Sequence, residues 1–464
     1  MVLRIGVDDT DSLRGMCTTF LATEIVRDLT EDFDLIGYPR LVRLNPNIPW
    51  KTRGNGAVCL RVGHGRGPET LVGKIHGQKI RSHARSFGQV DADDVAGRVA
   101  RMVERWSCFD DPTTNPGFVV LTRPPSPGLY WNAVRRVVTI GEARRCLRGL
   151  GVVRSYKEGR GIIGAAAAAA WRPRDRTYEI LAYREPAAWG TRRVVEPDSV
   201  MAMDRGFLTT FNNYDYDNER VVIAPRSPCP ILLGIRGDQP QELEPAMERV
   251  KGERPERWLI FETNQGTDDH VTRGRPGEPF TTVDFRGNVT STPKTIAGGH
   301  VIFEVDGEAV TAYEPSKQFR RIVQLLVPGD KVRVIGAVRR SPKTVNLEKI
   351  EILRLALLTR KLENPRCPGC AVRMKSLGSR AAYRCSRCGH YEPRNAEIRA
   401  PVLRGLAVGW HEPPVGSRRH LSKPLKRMGV SVVPEVPSQA QPGFPDLESG
   451  TSPRNIGSIW KGSR

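Results

Sequence analysis

Val2-Leu3-Arg4-Ile5-Gly6-Val7-Asp8-Asp9-Thr10-Asp11-Ser12 opens the chain with an apolar run that breaks into three carboxylates within four residues. Residues 2–7 read as a strand. Thr18 to Leu29 reads as an amphipathic helix with Phe20, Leu21, Ile25 and Leu29 on its inner face. A strand, an acidic loop and a helix make an α/β opening, and further strands near Leu41 and Val58 extend it. Crowded carboxylates repel one another, a cost commonly offset by a hard cation such as Mg²⁺ that bridges to phosphate oxygens. Asp8, Asp9 and Asp11 are therefore candidate Mg²⁺ ligands, directly or through water, with Asp8 and Asp11 as the metal residues proper. Thr18 and Thr19 sit at the helix N-terminus, where free N–H groups attract anions. Taken alone, the loop reads equally well as an acidic cap with solvated aspartates.

Outward from this segment, the 464 residues hold 72 Lys and Arg against 51 Asp and Glu, a formal charge of +21. That length predicts three or four domains. The cationic surplus releases counterions from phosphates whatever the base sequence, so nucleic acid is favoured over a merely solvated surface. No secretory signal is visible, and the longest weakly polar run, Ile162 to Trp171, has ten residues, short of the roughly 20 a membrane helix needs. Of nine cysteines, Cys17, Cys59, Cys108, Cys146 and Cys229 are scattered as reduced thiols would be. The expected compartment is the cytoplasm.

The expected division is an N-terminal α/β region over 1–190, part of 60–127 being an inserted or ferredoxin-like subdomain, then a ferredoxin-like α+β domain over 191–275. An OB-fold barrel over 276–360 is predicted from five short β runs interrupted by one helix, an architecture whose face binds single-stranded nucleic acid. A zinc ribbon over 361–400 and a basic Pro/Gly-rich tail over 401–464 complete the chain. The fold class is thus multidomain α/β and α+β. The six alanines at 165–170 favour a helix by propensity, yet the turn chemistry of Trp171-Arg172-Pro173-Arg174-Asp175 before the strand Tyr178 to Tyr183 tips the reading to a hairpin. Nine Pro and eight Gly in 401–464 predict a largely disordered tail beyond a docking segment.

Cys367-x2-Cys370-x14-Cys385-x2-Cys388 is the most specific local signal. Two CxxC knuckles complete a closed tetrahedral S4 site, which is structural zinc. Arg373, Lys375, Arg380, Arg384 and Arg387 accompany it as RNA-facing cations. Tyr156-Lys157-Glu158-Gly159-Arg160-Gly161-Ile162-Ile163-Gly164-Ala165 is a Gly-rich basic turn without the GxxxxGK[ST] of a Walker loop. Paired with the aspartate loop it supplies phosphate-gripping cations opposite metal carboxylates, as nucleotide-dependent transfer requires. Thr209 to Asp217 is an aromatic and acidic cluster that suits a small cation or a plain surface loop. His83, Arg85 and Phe87 of Ser82-His83-Ala84-Arg85-Ser86-Phe87-Gly88 either touch RNA or form a solvated turn, the turn being favoured.

Taken in order, GVDDTDS with Thr18 behind it, YKEGRGIIGA, FNNYD, Thr263-Asn264-Gln265-Gly266-Thr267-Asp268, the barrel pattern and the ribbon resemble the archaeal isoleucine-tRNA 2-agmatinylcytidine synthetase family over roughly residues 1–395. The resemblance implies an ATP-dependent, tRNA-modifying ligase that joins agmatine to carbon 2 of the wobble cytidine of the AUA-decoding isoleucine tRNA, releasing AMP and pyrophosphate. It implies ATP and Mg²⁺ in a kinase-like N-terminal domain with Thr18 among its catalytic residues, to which the chemistry of the residues themselves adds Asp8, Asp9, Asp11 and Glu158. Thr18 maps onto an autophosphorylated threonine, and Glu158 would serve as base for the agmatine amine. Lys157, Arg160, Gly161 and Gly164 would bind ATP, Asp204, Asn212 and Asp215 agmatine, and the barrel and ribbon the tRNA, through its CAU anticodon loop and acceptor region.

Two other readings compete. A non-catalytic RNA-binding adaptor would leave everything to the barrel and ribbon. An ATP-dependent RNA ligase or nucleotidyltransferase would need a KxDG lysine ahead of the barrel, and Lys157-Glu158-Gly159 lacks the aspartate.

Overall fold

The computed structural model describes residues 2–378 and 382–432. Arg380 and the tail from residue 433 onward lie outside the described residues. The first half builds one mixed sheet. Its elements in chain order are β1 (Leu3–Asp8), α1 (Thr18–Leu29), β2 (Asp34–Ile36), β3 (Arg40–Arg43), β4 (Gly56–Ile75), β5 (Gln78–Phe87), α2 (Ala92–Trp106), β6 (Gly117–Leu121), α3 (Pro127–Arg135), α4 (Ile140–Leu147), β7 (Gly151–Ser155), α5 (Gly161–Ala170) and β8 (Thr177–Tyr183). There follow α6 (Pro197–Gly206), β9 (Thr210–Phe211), β10 (Tyr214–Asp215), β11 (Arg220–Val221), β12 (Ile231–Gly237), α7 (Leu243–Arg249) and β13 (Arg257–Thr263). The sheet runs β7-β6-β1-β4-β3-β13-β8-β12-β9, so the two halves share one hydrogen-bonded ladder through β3 and β13.

α1 and α2 cover one face of the first half, where Phe20, Leu21, Ile25, Val95 and Val99 are buried against Ile5, Leu60 and Phe118. α3 and α5 cover the other. The alanines at 165–170 form this second helix and not a hairpin. α5 lies so close to the sheet that a Cβ on Gly6 would come 2.1 Å from the Ala165 carbonyl oxygen, and one on Gly117 would come 2.3 Å from the Ile162 nitrogen. Only small side chains fit that spacing, so the run is a helix by both propensity and packing. The following turn merely ends it. The motif around His83 is likewise not a turn but lies within β5, paired to β4.

β14 (Val271–Arg273), β15 (Thr282–Asn288), β16 (Lys294–Thr295), β17 (Val301–Val305), β18 (Glu308–Ala312), α8 (Phe319–Gln324), β19 (Lys331–Val338) and β20 (Val345–Arg354) form the second body of sheet. β15 pairs with β19, β19 with β20, β20 runs parallel to β18, and β18 pairs with β17. A bridge between Val289 and Val305 returns β17 to the end of β15 and closes the ring. Phe285, Val301, Phe303, Val334 and Ile350 fill it. Next come β21 (Thr359–Glu363), β22 (Lys375–Ser376), β23 (Tyr383–Arg384), β24 (Tyr391–Glu392) and β25 (Ile398–Pro401). β22, β23 and β24 form a small sheet, and β21 pairs with β25.

The expectation of a largely disordered tail fails for residues up to 432. β26 (Gly409–His411) adds to β20. The chain then returns to the large sheet, where the amides of Gly266 and Asp268 donate to the carbonyls of His420 and Leu421 at 2.8 and 2.9 Å. Arg427 is fully buried there. It donates to Asp238 at 2.8 Å and to Asp175 at 3.1 Å, and Lys423 reaches Asp175 at 2.8 Å. A Pro/Gly-rich composition concealed this because buried charge pairs, and not apolar periodicity, hold the segment.

Candidate active site

β1 carries Asp8 to the end of the sheet, opposite Gly117. Asp9 then turns through a left-handed conformation (φ 57°), which swings the acidic loop back over the start of α1. Loop 110–115 scaffolds it. Asp111 accepts from the Ser12 hydroxyl at 2.6 Å and from the Leu13 amide at 3.0 Å, Thr114 donates to the Asp11 carbonyl at 2.7 Å, and the Asn115 amide to that of Asp9 at 3.1 Å. The Ser12 hydrogen bond foremost holds the Asp111 carboxyl below the ordinary range. One carboxylate oxygen of Asp11 receives both the amide of Thr18, at 2.7 Å, and its hydroxyl, at 3.1 Å, while the Thr10 hydroxyl donates to the same Thr18 oxygen at 2.9 Å. The buried Thr18 hydroxyl is thus fixed beside a carboxylate.

α5 starts directly against this loop. A Cβ on Gly164 would lie 1.8 Å from an Asp8 carboxylate oxygen, and one on Gly161 would lie 2.8 Å from the Asp8 carbonyl. Arg160 stands 3.9 Å from Asp9, and Arg53 stands 3.4 Å from Asp11. Burial first raises both the Asp8 and Asp9 carboxyls, with the charge of Asp8 next for Asp9. Two carboxylates so placed resist ionising together, which a divalent cation would reverse.

These groups line a cleft of about 760 Å³ that takes in Asp8, Asp9, Asp11, Thr18, Arg160 and Gly164. Its remaining lining comes from the loop between β3 and β4, which supplies Trp50, Lys51 and Arg53, and from Ala133, Arg136, Val137 and Val138. Burial, then the charge of Arg419, pushes Lys51 down to about 8. Leu44, Ile48, Val137, Val138 and Ile163 make part of its lining apolar. Asp11, Thr18, Arg53 and Gly56 also line a second, larger cavity, so the two spaces share one partition. The second is walled by Arg43, Arg220, Arg226, Arg236, Arg418 and Arg419. Glu179 lies on its floor, 2.9 Å from Arg236 and 4.0 Å from Arg43. His420 is kept neutral there, its pKa driven down by Arg43 first and by burial second.

The acidic loop and the later glycine-rich turn therefore converge, though not through every residue expected. Lys157 adopts a left-handed conformation (φ 52°) and donates to the Asp111 carbonyl at 2.6 Å, bracing the loop from outside the cleft. Glu158 is 71% exposed, faces Arg160 at 3.6 Å and lines neither cavity. Gly161 donates its amide to Asn115 at 3.1 Å behind the wall. Asn212 lines the second cavity and accepts from Arg418 at 2.9 Å. Asp204 takes hydrogen bonds from Asn213 and Tyr216 and lies outside it. Asp215 is buried one layer behind, accepting from the amide of Gly416, which is part of the wall.

Sequence reasoning missed Trp50, Lys51 and Arg53, although Asn45-Pro46-Asn47-Ile48-Pro49-Trp50-Lys51-Thr52-Arg53-Gly54-Asn55 offered a signal: a long polar turn displaying an aromatic ring and two cations. Nothing local marked Arg418 to His420, which reach the cavity from more than 150 residues downstream of Glu179 and Arg236. Lining neither cavity, the ligand atoms of Cys367, Cys370, Cys385 and Cys388 lie within 4.8 Å of one another, a donor set that fits zinc.

Comparison with known proteins identifies the family. Family models match as the TiaS TCKD domain over residues 4–158, the TiaS FLD domain over 159–270 and the TiaS C-terminal zinc ribbon domain over 364–406. The isoleucine-tRNA 2-agmatinylcytidine synthetase TiaS of Methanocaldococcus jannaschii is 37% identical over 441 residues, covering 92% of this chain and 99% of that protein. The Archaeoglobus fulgidus protein of the same name is 39% identical, covering 92% and 97%. A crystal structure of TiaS in complex with its isoleucine tRNA, AMPCPP and agmatine superimposes with a TM-score of 0.76 at 36% identity, covering 93% of this chain and 98% of the other. No described helix is long and apolar enough to cross a membrane. With identity of this order along nearly its whole length, the chain belongs to the TiaS family of isoleucine-tRNA 2-agmatinylcytidine synthetases.

Proposed function

We propose that this chain uses ATP to join agmatine to carbon 2 of the wobble cytidine of the AUA-decoding isoleucine tRNA, with release of AMP and pyrophosphate. The observation that carries the reading is the shared partition: Asp11, Thr18 and Arg53 face an acid-lined cleft on one side and an arginine-lined cavity on the other. The cleft suits ATP, its apolar lining and Trp50 taking the base and Lys51, Arg53 and Arg160 the phosphates. Asp8, Asp9 and Asp11 would hold Mg²⁺, which supplies charge neutralisation to the phosphate oxygens. The cationic cavity suits the extruded nucleotide, already unpaired in an anticodon loop, with its flanking phosphates.

The cytosine 2-oxygen is a poor leaving group, so a group derived from ATP must activate it before an amine can displace it. Activation at the partition places that oxygen where both substrates meet. Thr18, held by Asp11, is positioned to accept a phosphoryl group itself. Agmatine is a dication and needs negative potential; the Asp215 carboxylate just behind Gly416 would supply it at one end of the cavity, with the Asn212 carbonyl as a hydrogen-bond acceptor beside it. The strand order β13-β8-β12-β9, with α6 and α7 beside it, supports a ferredoxin-like domain. The closed five-strand ring with α8 between its third and fourth strands supports an OB fold. The first half would then be the kinase-like domain, and the barrel and ribbon the tRNA grip.

The test is incubation of the protein with ATP, Mg²⁺, labelled agmatine and unmodified tRNA, followed by nucleoside mass analysis. Label appearing in one modified cytidine at the wobble position is the expected result. Tight tRNA binding with no product would replace this reading with a non-catalytic adaptor.

A further inference from the structure

The β4–β5 hairpin bears a feature that neither cavity uses. Its rungs set His64 opposite Phe87, Arg66 opposite Arg85 and Glu69 opposite His83. Strand alternation puts Phe87 and Arg85 on one face with their partners. The neighbouring rung balances its charge, because Glu69 faces Arg81 at 3.5 Å and His83 faces Asp34 at 3.6 Å. Arg66 and Arg85 have no carboxylate within 4.0 Å among the described residues, and both are exposed. Like charges directly opposed across a hairpin destabilise it. Beside them the Phe87 ring is 56% exposed, propped 5.8 Å from His64, which is itself 5.9 Å from Phe33. Two unpaired guanidiniums next to a buttressed, solvent-facing ring match a polyanion with stackable bases: the guanidiniums fork onto phosphate oxygens and the ring takes a base or ribose face.

We propose that this hairpin is a contact surface for the phosphate backbone of the tRNA, outside both cavities; the identity of that RNA rests on the function proposed above. β4 begins at Gly56, which lines the partition, and Arg66 lies ten residues along it, about 30 Å at strand rise. The surface therefore acts on affinity and leaves the chemical step alone.

The experiment titrates unmodified tRNA against the full-length Arg66→Gln/Arg85→Gln protein across KCl concentrations, without ATP or agmatine. The dissociation constant rises about tenfold near 0.1 M salt, and the salt slope falls by between one and two, since each lost phosphate contact removes about 0.7–0.9. Phe87→Ala weakens binding severalfold with the slope unchanged. kcat at saturating tRNA stays at the wild-type value, and the melting temperature does not fall, because the opposed pair is relieved. Affinity and slope equal to wild type in the double variant would overturn the proposal, as would loss of kcat without loss of affinity. Binding that depends on this rung in a protein making no agmatidine would sink the catalytic reading and leave the surface standing.

Discussion

The cleft gathers carboxylates and the zinc ribbon gathers thiols, and they do so by opposite means. In the ribbon four thiols lie within 22 residues, and the small β22-β23-β24 sheet closes around little else than Met374 and Tyr383. There the metal makes the fold. In the cleft, carboxylates that repel one another are forced together by a sheet, by loop 110–115 and by a helix of alanines, all of which hold without a metal. There the fold makes the site. Removing metal should therefore dismantle one region and merely discharge the other.

The largest effect expected is on conjugation. Asp8→Asn removes a carboxylate from beneath α5, and product formation should drop by at least about 10²–10³-fold, the range for losing one preorganised electrostatic group. Gly164→Ala reaches the same centre sterically, because its Cβ would come 1.8 Å from Asp8. Both proteins should retain wild-type tRNA affinity, measured by filter binding. Gly164→Ala with full activity would show that Asp8 is not confined as described.

Next in size is zinc. Chelation, or Cys388→Ser, should melt the ribbon and weaken tRNA binding roughly 10–100-fold, while ATP binding at the cleft, followed by nucleotide fluorescence, stays unchanged. Coupled loss of both would mean that the two regions are not independent.

The tail sharpens the comparison, since buried charge pairs help to seat it. Arg427→Leu leaves Asp175 and Asp238 buried with less compensation and should cost about 3–5 kcal/mol, read by denaturant unfolding. If that substitution were neutral, the buried network would contribute no stability.

How far the sequence revealed each region follows from the same contrast. Ribbon ligands are local, so spacing alone placed all four. α1 was legible to the residue because Phe20, Leu21, Ile25 and Leu29 repeat with a helical period. The cleft was half legible: Asp8, Asp9 and Asp11 announce themselves by crowding, but their partners Lys51 and Arg53 come from an aperiodic loop. The alanine run misled because a turn motif was weighed above the close packing that only the sheet discloses. Arg427 and His420 were invisible, since a buried polar side chain has no period to betray it.

The smallest prediction isolates the cleft. Without metal, burial holds the Asp8 and Asp9 carboxyls above the ordinary carboxylic range. As pH rises past 4 the unfolded chain gives up these protons first, whereas the folded protein retains them or confines two like charges. Stability contributed by the protonated forms is therefore complete at low pH and is lost as pH climbs through the raised folded values. Metal-free protein should melt a few degrees lower at pH 8 than at pH 5, about what one or two kcal/mol produces in a protein of this size. Mg²⁺ should flatten that slope by favouring the ionised pair, and Asp8→Asn should flatten it with no metal present. Scanning calorimetry of the three samples decides the matter. A metal-free profile already level between pH 5 and 8 would mean that the fold does not press these carboxylates together, and the contrast with the ribbon would lose its basis.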